Sequence, residues 1–167
     1  ITDLTIKNNN LIVATQGRSL WIIDDLTVLH QASAEIAQKD FHLFKPMDAY
    51  RMGGRGGRAS KTEGTNHPGG VIVNMFLQDA PADSVEVKVS FHEMDGSLIK
   101  SFSNKAKERG LRLPELKAGG NSFSWDMRYP NAEGFEGMIL WSGSLAGPKA
   151  VPGEYKVRMS IGDETQE

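Results

Sequence analysis

Val85-Glu86-Val87-Lys88-Val89-Ser90-Phe91 alternates apolar and polar side chains, and Asp95-Gly96 follows shortly after. Successive residues of a strand point to opposite faces, so this alternation predicts a half-buried antiparallel strand. Asp-Gly tolerates the left-handed backbone of a tight hairpin turn, which makes Leu98-Ile99-Lys100-Ser101-Phe102 the returning strand. Outward from this hairpin, Val71, Val73, Met75 and Leu77 sit two apart in an almost wholly apolar run, the pattern of a well-buried strand. Phe123, Trp125 and Met127 alternate, Met138-Ile139-Leu140-Trp141 reads as a further short strand, and Tyr155, Val157, Met159 and Ile161 alternate behind the Pro152-Gly153 turn. Strands spaced by turns, without long helices, predict an all-β, immunoglobulin-like antiparallel β-sandwich over residues 69–167.

The N-terminal part predicts a short β-meander over residues 1–30. Leu4-Thr5-Ile6, the polar turn Lys7-Asn8-Asn9-Asn10, Leu11-Ile12-Val13-Ala14, a break at Gly17-Arg18 and Leu20-Trp21-Ile22-Ile23 follow one another. Three strands of this size cannot bury both faces alone, so the meander is expected to pack on something else. Residues 31–68 read as a connector. Its Ala-rich start from Ala32 to Lys39 predicts a short helix capped by Ser33, and Pro46 stops regular structure. The glycines and arginines from Arg51 to Arg58 carry no apolar periodicity and predict a flexible linker.

The chain has 167 residues, 39% of them hydrophobic and 24% charged, enough apolar material for a packed core. Its net charge of −2 argues against a nucleic-acid binder, which usually carries a basic excess. With no cysteine there is no disulfide framework, thiol nucleophile or Cys-based zinc site. No apolar run approaches the roughly 20 residues of a membrane span. The first residue is Ile1, and strand-like sequence begins at once, so the chain is expected to be a piece of a longer protein.

The stretch Val13-Ala14-Thr15-Gln16-Gly17-Arg18-Ser19-Leu20-Trp21-Ile22-Ile23-Asp24-Asp25-Leu26 resembles the closing strands of the sortilin-like, BNR-repeat β-propellers, which in bacteria are commonly labelled glycosyl hydrolases. It departs from the usual family form at Gln16, where His is common, and at Ser19, where Gly is frequent. Trp125-Asp126-Met127-Arg128-Tyr129-Pro130, Gly137-Met138-Ile139-Leu140-Trp141 and Val151-Pro152-Gly153-Glu154-Tyr155-Lys156-Val157-Arg158 resemble the region after that propeller. The last of these is also similar to the final strands of FlgD-type immunoglobulin-like domains. The resemblance implies that residues 1–30 are last-blade strands of a propeller lying outside this chain. It also implies a periplasmic or extracellular parent. No Asp-box of the S-x-D-x-G-x-x-W kind is present.

No catalytic constellation emerges. A glycosidase needs two carboxylates roughly 5–10 Å apart across the bond. Asp24 and Asp25 are adjacent at a strand end and point to opposite faces, so a turn-capping role is preferred. Asp126 is out of phase with Trp125 and Met127, which favours solvent exposure or an ion pair with Arg128. His30, His42, His67 and His92 have no metal-like spacing, and His92-Glu93 lacks the second His of a zinc motif, so no metal and no cofactor are expected.

Two sets of contact candidates remain. Tyr129 and Trp141 lie at expected strand ends and could stack on sugar rings, whereas Trp125 shares phase with Phe123 and Met127 and reads as core. Arg51 and Arg55 could reach a substrate or another domain from the linker. The leading expectation is a non-catalytic accessory C-terminal region that packs on or orients its own N-terminal propeller. The alternatives are a carbohydrate-binding module and a contributor to a glycosidase site shared with the propeller. Bare N-terminal strands could also pair two copies into a dimer.

Overall fold

The computed structural model describes residues 1–51 and 68–167. Among these residues there are ten strands in three antiparallel sheets and one short α-helix, an all-β architecture with a two-sheet sandwich.

The first sheet is the meander β1 (Asp3–Lys7), β2 (Asn10–Ala14) and β3 (Leu20–Ile23), in that order. Asn8 and Asn9 both take positive φ, 50° and 62°, as the two central residues of a mirror-image hairpin turn must. Residues directly opposite in the register share a face. One face therefore collects Leu4, Ile6, Leu11, Val13, Trp21 and Ile23, and the other carries Ile12, Ala14, Leu20 and Ile22. Both faces are apolar. Leu4, Ile6 and all four β3 residues are more than half exposed, and Trp21 shows 62% of its surface.

A short helix α1 (Thr27–Gln31) follows, and residues Ile36–Gln38 make one 3-10 turn. The helix expected from Ala32 to Lys39 is thus corrected: regular helix lies earlier, and only a single turn forms in the Ala-rich stretch. The N-cap of that turn is Glu35 rather than Ser33, whose hydroxyl accepts the Ile36 N–H at 3.3 Å, and Lys39 is already extended and leads into a strand.

That strand, β4 (Phe41–Leu43), belongs to the sandwich rather than to a linker. It pairs with β5 (Val71–Leu77), which in turn pairs along its whole length with β8 (Gly119–Trp125). The facing sheet contains β6 (Val87–His92), β7 (Leu98–Ser103), β9 (Lys156–Ile161) and β10 (Glu164–Gln166), in the order β10-β9-β6-β7. Val87, Val89 and Phe91 of the opening motif are fully buried, as their alternation requires. They meet Val73, Met75 and Leu77 from β5, Met159 from β9 and Trp125 from β8. The Trp125 ring stacks on Phe91 at 4.3 Å, and Phe102 and Phe123 extend the aromatic seam between the sheets.

Two further expectations are corrected. Met127 does not continue β8: its φ is +59°, and the reversal lets the Trp125 indole N–H reach the Arg128 carbonyl at 3.0 Å. Met138–Trp141 forms no strand. It lies in the long connection from β8 to β9, with Ile139 and Trp141 in solvent and, among the described residues, no strand paired with it. The connection is pinched at its base, where Ala150 donates to the Met127 carbonyl, Tyr129 to the Pro148 carbonyl, and the Arg128 guanidinium to the Gly147 carbonyl.

Candidate functional site

The structure separates the residues singled out by sequence. Asp25 takes φ +57° and accepts from the Asn9 amide and the Thr27 N–H, which closes the loop after β3. Asp126 caps the Arg128 N–H and faces Lys100 at 3.7 Å and Arg128 at 3.9 Å. Both are structural carboxylates of loops. His92 is buried, with Nδ1 on the Gly96 carbonyl and Nε2 on the Ser90 hydroxyl, so it braces its own hairpin. Among the described residues no group of three or more His, Asp or Glu side chains converges as a metal site.

Tyr129 and Trp141 have different surroundings. Tyr129 packs at the margin of the core, and its hydroxyl donates to the Glu93 carboxylate. That bond holds the proton on the phenol and raises its pKa to about 12, helped by partial burial and the Glu93 charge. Trp141 stands in solvent with 95% of its surface exposed. Among the described residues no aromatic contact joins the two rings, so they do not form a shared platform.

Arg51 lies, among the described residues, on the wall of a cleft of about 1020 Å³, around the upper end of the ~300–1,000 Å³ usual for ligand sites. Arg55 falls outside the described residues. The cleft sits between the two sheets at one edge of the sandwich. Its walls include Val71 from β5, Tyr155 and Val157 around β9, and Met94 from the β6–β7 hairpin, and the extended segment after β4 contributes Met47 and Tyr50. Trp125 and Phe91 form its floor. Among the described residues the rim carries Lys45, Arg51 and Lys156 with Asp48, Glu154 and Glu167. Glu167 is held by Arg158 at 2.6 Å and Lys156 at 3.3 Å, and the Arg158 hydrogen bond chiefly keeps its carboxyl below the usual range. His42 lines the same cleft with its ring edge-on to Phe44. Its buried Nδ1 has no hydrogen-bond partner among the described residues, and burial together with Lys39 lowers its pKa.

Sequence reasoning missed this cleft. Its sequence signal is slight, since Phe41-His42-Leu43 is only a three-residue strand beside a seven-residue partner.

The fold and cleft define an all-β sandwich with an appended, unburied meander. No protein-family model matches the chain, and neither a curated protein nor a solved structure matches it.

Proposed function

We propose that the chain is a non-catalytic C-terminal region of a larger β-propeller protein, with the meander as strands of the last blade and the sandwich packed on, and orienting, the propeller. The observation that carries this reading is the meander itself: three hydrogen-bonded strands with apolar side chains on both faces and most of them in solvent. Propeller blades bury both faces against neighbours, and an isolated three-stranded sheet does not. The sequence resemblance of Val13–Leu26 to closing propeller strands points the same way. A parent of the glycosyl hydrolase type and an exported location belong to the same proposal. Without neighbours, the open edges of β1 and β3 would pair two copies.

Amide hydrogen exchange on the isolated chain and on the same chain within its parent tests the proposal. Strong protection of Leu4–Ile6 and Leu20–Ile23 only in the parent is the expected result. Equal protection in both would overturn it. The isolated chain is also expected to cleave no glycoside.

A second reading is favoured by one observation, the nearly complete exposure of Trp141. A bare indole offers a flat apolar face to a sugar ring, and binding on a glycan array that is lost in Trp141→Ala would establish a carbohydrate-binding role. A blank array would remove it.

A further inference from the structure

The connection from β7 to β8 opens with a loop that closes on one residue. The Ser103 carbonyl accepts the Ala106 N–H at 3.2 Å and the Leu113 N–H at 3.1 Å, and the Ser103 hydroxyl accepts the Lys105 N–H at 3.0 Å. Ser103 also forms an isolated bridge with Arg112, and Arg109–Leu111 make one 3-10 turn. Phe102, Ser103 and Leu113 are buried, so both ends of the loop are mounted on the core. Between them stand Lys105, Lys107, Arg109 and Arg112, all exposed. Lys88, exposed on β6, is the register partner of Ser103 and brings a further cation beside the loop. Four of the chain's 19 lysines and arginines, but only one of its 21 aspartates and glutamates, fall between Ser103 and Leu113. A chain of net charge −2 thus holds a local positive excess here. The carboxylates nearby are engaged with the loop itself: Glu86 accepts from the Ser103 hydroxyl at 2.6 Å, and Glu108 lies 3.7 Å from where a Cβ on Gly110 would be. Among the described residues none of these five cations makes an ion pair or a side-chain hydrogen bond.

We infer that this loop binds a linear acidic polysaccharide, its lysines and arginines pairing with carboxylates carried in series along the sugar chain. Three features select this ligand class. The cations are gathered in one place: each is at most four residues from Ser103 or from Arg112 beside it, which at up to ~3.6 Å per residue keeps its backbone within about 15 Å of that pair. The charges are unpaired and the rest of the chain is acidic, so the field of the molecule draws a polyanion to this loop and repels it elsewhere. The arginine fork of Arg109 and Arg112 matches the two oxygens of a carboxylate. Other polyanions fit less well. Between Ser103 and Leu113 no aromatic side chain is present to stack on the bases of a single-stranded nucleic acid. The large apolar residues of the loop, Leu111 and Leu113, are half-buried and buried, which leaves none at its surface to enter a bilayer. The inference rests on neither the propeller nor Trp141 and concerns the β7–β8 loop alone.

The test uses the full chain and four probes: polygalacturonate, uncharged dextran, a single-stranded DNA oligomer and vesicles containing phosphatidylserine. Binding is read by titration calorimetry at low and at physiological salt. Polygalacturonate is expected to bind, more weakly as salt screens the charges, and dextran to give no heat. Lys107→Ala/Arg109→Ala, two exposed positions, is expected to lower the polygalacturonate affinity at least about tenfold with an unchanged unfolding transition. Lys7→Ala/Lys39→Ala removes the same charge from exposed positions outside the loop and is expected to leave the affinity unchanged. No binding of polygalacturonate would overturn the inference. Equal losses in the two double variants would also overturn it, by showing a diffuse charge effect. DNA or vesicles bound more tightly than polygalacturonate would assign the loop to that other partner instead.

Discussion

The side-chain amide of Gln166 is clamped onto the backbone around Phe41. Its Nε2 donates to the Phe41 carbonyl at 3.1 Å, and its Oε1 accepts the Leu43 N–H at 3.0 Å. One glutamine therefore does between the sheets what a backbone ladder does within them, and it joins strands near the two ends of the described sandwich. Gln166→Ala leaves one donor and one acceptor at a partly buried strand edge. A loss of ~1–3 kcal/mol is expected, measured as a lower urea midpoint with unchanged slope. Because the clamp bounds the cleft, the same variant is expected to speed exchange at Phe41–Leu43 before it affects β6.

Trp125 and Trp141 are the two extremes among the tryptophans, at 2% and 95% exposure. Trp125→Ala removes the ring stacked on Phe91 and the indole hydrogen bond to Arg128, and is expected to cost ~3–5 kcal/mol. Trp141→Ala is expected to stay within about 0.5 kcal/mol of the parent chain. Chemical denaturation of both variants checks the pair, and a large loss at Trp141 would show that the ring is covered in solution.

The phenol of Tyr129 titrates late because Glu93 accepts its hydrogen bond. Its folded pKa lies above the unfolded value of 10, so its contribution to stability is complete below about pH 10 and is lost as pH rises through about 12. Among the three tyrosines, one is expected to form tyrosinate well after the ordinary range by ultraviolet absorbance. In Glu93→Gln that late step moves back toward 10. An unchanged titration would sink the assignment.

Gly147 lies against the carbonyl oxygens of Tyr129 and Pro130, where an added Cβ would collide with both. Gly147→Ala must open the base of the long connection and is expected to cost ~1–3 kcal/mol. Gly137, which meets nothing within 4 Å but has φ +80°, should respond only through backbone strain. Comparing thermal midpoints of the two alanine variants separates collision from strain.

The parts legible in the sequence were those in which one face is buried. The alternation at Val85–Phe91 and at Tyr155–Ile161 marked core strands because a one-residue slip would turn every apolar side chain outward. Asn8-Asn9 and the Gly96 of Asp95-Gly96 marked their turns because few residues accept positive φ. Met138–Trp141 misled because four adjacent apolar residues carry no period, and burial cannot be inferred from apolarity alone. β4 and the cleft were invisible for a related reason. Three residues hold too little pattern to announce a strand, and a cleft between sheets exists only relative to partners far away in the chain.

The pinched base of the β8–β9 connection has a practical consequence. Four hydrogen bonds near Met127–Tyr129 and Gly147–Ala150, with Asn131 receiving the Gly147 N–H, isolate everything between from the sandwich. Loop-closure entropy grows only slowly with length, about 0.6 kcal/mol for each doubling. The tip around Gly137 is therefore a site for grafting an epitope, a fluorophore-binding tag or a second module, with the sandwich serving as a rigid mount that does not register the cargo.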